Sequence, residues 1–232
     1  MKKIRILQII FDTEIKGQQI SAFRGAIASK VGQNSNLFHN HTTSGFIYNY
    51  PFIQYKRLNK KAAIVCVEQG VDEIYILFNQ PDWQLNLNGS NFLMKIEKLN
   101  VNAFNLNVWD NFFSYRIFNW IALNPENHKK FRSTDSLTER IIILENILKA
   151  NILSFAKGVE WILEEDKKIE LKITNIIGEK VTRFKNISHV TFDVEFKTNV
   201  FLPQHIGMGK AASHGYGVVY AVRKKIKSDE PR

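Results

Sequence analysis

Two histidines stand two residues apart in the segment Leu37-Phe38-His39-Asn40-His41-Thr42. In an extended chain residues i and i+2 point to the same side, so both imidazoles are predicted to face one reacting group. An imidazole, with an ordinary pKa of about 6.5, gives and takes protons near neutral pH. The pair therefore suits metal-free scission of an RNA phosphodiester: one ring removes the 2′-OH proton and the other protonates the 5′ leaving oxygen. The negative charge that builds on phosphorus calls for a cation or backbone N–H groups, and Lys30 is the nearest candidate. Two other readings stand beside this one. The histidines could be exposed loop residues without a chemical role, or half of a metal site. A zinc site would need about two further ligands, and there is no second cysteine and no carboxylate between Glu14 and Glu68.

A second cluster, Gly207-Met208-Gly209-Lys210-Ala211-Ala212-Ser213-His214-Gly215-Tyr216-Gly217, is dense in glycine and basic. It is not a Walker P-loop, because Gln204 stands where glycine is required and Ala211 where Ser or Thr is required. It is not a dinucleotide fingerprint, because Val218-Val219-Tyr220 reads as strand where a helix should follow. What is left is a loop whose bare backbone approaches phosphates, with Lys210 and His214 adding charge or donors, or else an ordinary glycine-rich turn. His128, His189 and His205 have no partner pattern and read as structural or exposed. Trp109 and Trp120, among Phe104, Phe112, Phe113 and Phe118, read as core.

The elements that must hold these residues follow from periodicity. An Ile-rich strand at 3–11 precedes a helix marked by Ile20, Phe23, Ile27 and Val31 and stopped by Gly32. Strands at 46–56 and 62–67, a short helix at 71–78 ended by Pro81, and a strand at 84–87 complete the order βαββαβ, the ferredoxin-like arrangement. After Asn124-Pro125 comes a long helix, with Ser136 and Glu139 as a capping box and Leu137, Ile141, Leu144, Leu148 and Phe155 on one face, ended by Lys157-Gly158. The alternation of Val190, Phe192, Val194 and Phe196 marks a half-buried strand, flanked by strands at 169–174 and 218–223. The expected fold class is α+β, with two tandem ferredoxin-like domains at 1–124 and 125–228, the second degenerate and carrying the glycine-rich loop.

The chain has 232 residues, 32 basic and 22 acidic, for a net charge of +10. Both the first 120 residues and the remainder carry half of that excess, so no basic tail explains it. A surplus of this size favours a polyanionic partner, nucleic acid first, though a merely basic surface would share it. The run Arg223-Lys224-Lys225-Ile226-Lys227 could lie on a phosphate backbone or be a solvated tail. Cys66, the single cysteine, sits in an apolar run and reads as a small core residue. No apolar stretch approaches the ~20 residues of a membrane span, so a cytoplasmic protein with no membrane partner is expected.

Three segments together resemble the CRISPR-associated endoribonucleases of the repeat-associated RAMP superfamily, which process precursor guide RNA. They are Phe23-Arg24-Gly25-Ala26 leading to His39-Asn40-His41, then Tyr50-Pro51-Phe52-Ile53-Gln54-Tyr55-Lys56 with the following 62–68, and Phe196-Lys197-Thr198-Asn199 leading to the glycine-rich loop. The middle segment is similar to the subgroup that uses a histidine pair. The resemblance implies cleavage within the CRISPR repeat, leaving 5′-hydroxyl and 2′,3′-cyclic phosphate ends, with no metal and no cofactor. It implies catalytic roles for His39, His41 and Lys30, and RNA contacts from Lys56, Gly207, Gly209, Lys210 and His214. Asn40 departs from the third histidine often found between the pair. Repeat RNA is the implied partner, other proteins of a CRISPR effector complex are further candidates, and the choice between monomer and homodimer stays open. An inactive RNA-binding subunit of the same superfamily would keep the glycine-rich loop and lose the histidine pair.

Overall fold

The continuous apolar run at 62–67 has no alternation because its sheet is buried on both faces. The computed structural model describes residues 1–32, 35–39, 41–42, 45–46 and 50–222, without the side chains of 41–42 and 45–46. β1 (Lys2–Glu14) turns Leu7, Ile9 and Phe11 to one core and Ile4 and Ile6 to another. α1 (Ile20–Val31) lays Phe23, Ile27 and Val31 on the first of these and ends at Gly32, whose φ of 68° is left-handed. A helical turn, α2 (Asn36–His39), precedes the two-residue strands β2 (His41–Thr42) and β3 (Gly45–Phe46). β4 (Ile53–Leu58) and β5 (Lys61–Val67) are joined by Asn59-Lys60, both at positive φ, the geometry of a two-residue hairpin.

The helix expected at 71–78 is two short pieces, α3 (Gln69–Glu73) and α4 (Tyr75–Phe78). The strand at 84–87 exists but does not close the first sheet. It is β6 (Gln84–Leu87), hairpinned with β7 (Ser90–Leu93), and the closing strand is β8 (Ile96–Leu106). β8 pairs antiparallel along β1 from Phe11↔Ile96 to Lys2↔Leu106, giving the order β4-β5-β1-β8 of a ferredoxin-like sheet. β8 is an edge strand with Leu99 and Val101 exposed, and its asparagines are poor strand formers, so its signal in sequence is weak.

β9 (Val108–Trp120) follows at once and opens the second sheet. The hydrogen-bonded sheets thus divide at Asn107, ahead of the expected division after residue 124. α5 (Pro125–Ser133) is capped by Asn124, whose side chain accepts from Asn127 N–H at 2.7 Å, and α6 (Leu137–Gly158) by Ser136, which accepts from Glu139 N–H at 3.4 Å. β10 (Leu171–Phe184), β11 (Ile187–Val200) and β12 (Val218–Ala221) complete the order β10-β11-β9-β12, the same topology as the first sheet. In place of a second helix, the glycine-rich loop connects β11 to β12, and this makes the second domain degenerate. Leu144, Leu148, Ile152 and Phe155 of α6 share one core with Ile4, Ile6, Val65 and Val67, so the back of the first sheet is covered by the second domain.

Trp120 is buried, as expected, with its indole N–H donating to Asn151 Oδ1 at 2.9 Å, whereas Trp109 and Phe112 are exposed on β9. Cys66 is buried and burial pushes its thiol pKa up. The basic run at 223–227 lies outside the described residues. Among those described, no helix is long and apolar enough to cross a membrane.

Candidate functional site

Two polar residues of β4, Gln54 and Lys56, project from the face opposite Ile53 and Tyr55, away from the first core and into the second domain. Gln54 Oε1 accepts from Gly207 N–H at 2.7 Å, and Lys56 Nζ donates to Ala212 O at 2.9 Å. Both side chains are buried, and burial alone pushes the Lys56 pKa down to about 7. Lys56, expected to touch RNA, is thus an internal strut of the glycine-rich loop. Gly207 is likewise turned inward: its N–H is already taken, and a Cβ there would lie 2.5 Å from Lys56 Nζ. Gly209 (φ 78°) packs where a Cβ would stand 2.8 Å from Trp120 Nε1. The glycines therefore serve close packing of backbone on protein, a signal that sequence cannot separate from close approach to phosphate. Lys210 is exposed within this loop, bridged to Ile121 just past β9.

The other side of the loop opens on a cleft of about 700 Å³ between the domains. The tip of the β10–β11 hairpin contributes Arg183, Phe184 and Lys185, the loop contributes His214 and Tyr216, and the start of α1 contributes Ser21. The Phe184 ring stands edge-on to His214 and to Tyr216, with centroids 5.0 and 5.4 Å apart, and Lys185 Nζ lies 5.9 Å from the Phe184 centroid. His214 Nδ1 is 3.0 Å from Ser213 Oγ. Cations interleaved with aromatic rings, and no carboxylate among the lining residues, suit a single nucleic-acid strand: phosphates meet the cations and bases stack on the rings. Nothing in the amino-acid order singles out Arg183, Phe184 and Lys185. The triplet is a common surface pattern, and only the docking of the hairpin tip against the glycine-rich loop makes it a site.

The expected catalytic residues gather at the other end of α1. His39 closes the helical turn α2, rather than lying in the extended segment expected, with its Nε2 2.7 Å from Gly32 O. A carbonyl partner requires that Nε2 carry the hydrogen, which leaves Nδ1 as the lone-pair nitrogen. Arg24, mostly buried and with its pKa lowered by that burial, donates from Nη2 to His39 O and so fixes the turn to α1. Lys30 Nζ is paired with Asp82 Oδ1 at 2.7 Å. His41 pairs through its backbone with Phe46, and its side chain lies outside the described residues. Lys30 thus lies in the last turn of α1 and His39 is bonded to the residue that caps that helix, while Gly215 packs on Ile20 at its start. At ~1.5 Å per residue the 12-residue helix sets the two groups about 17 Å apart, roughly five nucleotides of stacked strand. No three His, Cys, Asp or Glu among the described residues gather as a metal-ligand set.

The two tandem ferredoxin-like domains, the second carrying the glycine-rich loop, superimpose on solved CRISPR-associated proteins of the Cas6 type. A crystal structure of Cas6b superimposes with a TM-score of 0.85 at 27% identity, covering 95% of this chain and 100% of that one. A CRISPR RNA processing endoribonuclease Cas6b follows at 0.72 and 24% identity over 95% and 100%, and Csf5, a type IV Cas6 crRNA endonuclease, shares the fold at 0.60 and 11% identity over 96% and 100%. An uncharacterised protein of Methanocaldococcus jannaschii is 30% identical over 142 residues, which is 61% of this chain and 94% of that protein. The family description Cas6b N-terminal domain matches residues 2–105, and Cas6b C-terminal domain matches 107–222. The chain belongs to the Cas6b family.

Proposed function

We propose that this protein is an endoribonuclease that binds CRISPR repeat RNA and cuts the precursor within the repeat without a metal ion. The observation that carries this reading is the family match over both domains, joined to a histidine pair at the end of α1. The solved Cas6b relative described as a CRISPR RNA processing endoribonuclease supports the activity and the substrate. The net charge of +10 and the basic, aromatic cleft support a polyanionic single strand as ligand.

In the proposed reaction the 2′-oxygen attacks phosphorus and the P–O5′ bond breaks, leaving a 2′,3′-cyclic phosphate and a 5′-hydroxyl. His39 suits the base: with Nε2–H held by the Gly32 carbonyl, its Nδ1 lone pair takes the 2′-OH proton, and the carbonyl stabilises the imidazolium that forms. His41 then protonates the departing 5′-oxygen. Lys30 supplies charge to the phosphorane by exchanging its Asp82 partner for a phosphate oxygen. Lys210, His214 and the cleft residues hold the strand.

Purified protein incubated with repeat RNA in EDTA tests this directly. Cleavage is expected to persist, to stop when the nucleotide at the cut carries a 2′-deoxy sugar, and to slow by about 10²–10⁴-fold in His39→Ala and in His41→Ala with RNA binding retained. Loss of activity in EDTA that added metal restores, or wild-type rates in both variants, would overturn the chemistry. Binding without cleavage by the wild-type protein would identify an RNA-binding subunit instead.

A further inference from the structure

Past the pair Phe192↔Trp120, β9 stops while the β10–β11 hairpin runs on, so the 187–191 stretch of β11 has no strand paired on that side among the described residues. A cavity of about 380 Å³ lies along this edge, a volume within the range of small-ligand pockets. Its floor is apolar, with Leu123 and Val190, and the exposed Val181 and Ile187 stand beside it. Its rim is His128 and Arg132 of α5, His189 of β11, and Lys210 of the glycine-rich loop, which is bridged to Ile121 just past β9. No Asp or Glu is among the residues lining it.

His189 is the telling residue. Its Nε2 is shut off from solvent and has no hydrogen-bond partner among the described residues. Buried polar atoms in folded proteins are nearly always paired, and an orphan on a half-exposed ring beside a cationic rim points to an acceptor that arrives from outside and is met by a turn of the ring. Burial first, and the charge of Lys210 second, push the His189 pKa down, so the free site disfavours a further positive charge. An anion between His189, Arg132 and Lys210 would offset the charge of Lys210 and favour the imidazolium. The His189 ring also lies 6.5 Å from that of Phe184, which lines the inter-domain cleft, so the two cavities meet across the hairpin.

We propose that this cavity is a second RNA subsite, which takes one phosphodiester of a single strand on Arg132, Lys210 and His189 and the adjoining base on the apolar floor. The proposal rests on the RNA-binding reading and extends it: the strand leaves the cleft, rounds the hairpin edge and is gripped again on the α5 side.

The test uses the full chain, a single-stranded RNA of the repeat sequence with a 2′-deoxy block at the cut, and two measurements. In the ¹⁵N spectrum of histidine-labelled protein, His189 is expected to titrate below the usual histidine value in the free protein and at least one unit higher in the complex. An unshifted His189 in the saturated complex would overturn the subsite. In binding titrations, Arg132→Gln should weaken affinity and reduce the slope of log K against log salt by about 0.7, the value for one phosphate contact on a single strand. Arg132 is exposed, so the variant should keep the wild-type thermal midpoint. Wild-type affinity and slope in Arg132→Gln, alongside weakened binding in Arg183→Gln of the cleft, would reject the subsite and leave the RNA-binding reading standing. Failure of the wild-type protein to bind the repeat RNA would reject both.

Discussion

Replacing Lys56 with methionine probes the strut beneath the glycine-rich loop. Among the described residues no carboxylate pairs with the ammonium; it donates to the Ala212 carbonyl, and burial brings its pKa down to about 7. In the unfolded chain the same group has a pKa of about 10.4. Between these values the unfolded state holds a proton that the folded state has released, so stability rises with pH. Integrated from pH 7 to pH 9, the difference is about 2 kcal/mol in favour of the wild type at the higher pH. Lys56→Met has nothing to titrate at this position and fills nearly the same volume. It loses about 1 kcal/mol for the hydrogen bond to Ala212 and is relieved of the cost of a buried ammonium. Near pH 7 the two proteins should thus be close in stability. Urea unfolding of both at pH 7 and pH 9 provides the assay, and subtracting the variant cancels the pH response of every other group. The expected result is a wild-type advantage that grows by about 2 kcal/mol across this interval. An advantage that stays constant would mean that Lys56 keeps an ordinary pKa, and the reasoning from burial would fail.

Two further outcomes follow from the same junction. Gly217→Ala places a Cβ well inside contact with the Met208 carbonyl at a left-handed φ of 60°, in a turn where Met208 N–H donates to Gly217 O at 2.8 Å. The cost should be about 1–3 kcal/mol, and calorimetry should show a thermal midpoint lower by about 2–4 °C for each kcal/mol. His205, half-buried against Tyr220 and hydrogen-bonded to Gln8 Oε1 at 3.3 Å, has its pKa pushed down to about 4, by burial first and by Lys56 second. As pH falls from the ordinary histidine value toward 4 the unfolded chain binds a proton that the folded chain refuses, so this residue makes the fold acid-sensitive. His205→Gln should lose stability less steeply than the wild type over that interval in denaturant titrations, and parallel curves would refute the assignment.

Local signals fixed by a few neighbouring residues were legible from the amino-acid order. Ile20, Phe23, Ile27 and Val31 repeat at helical spacing, Gly32 ends their helix with a positive φ, Ser136 caps α6, and the alternation from Val190 to Phe196 is a strand because one face is buried. The two-domain α+β class follows from the order of such elements, and the resemblance that led to the family was carried by short segments. Tertiary structure decided what depends on distant partners. β8 is a strand because β1 offers it a ladder of hydrogen bonds, although its asparagines argue against it. Trp109 and Trp120 have the same side chain and similar surroundings in sequence, yet α6 covers only the second. Lys56, expected to touch RNA, is closed over by the loop 156 residues later, and Arg183, Phe184 and His189 line cavities only because the hairpin docks beside that loop. Burial and electrostatic environment are properties of space rather than of chain order, so the sequence supplied the chemical groups and packing determined which of them face solvent and which face each other.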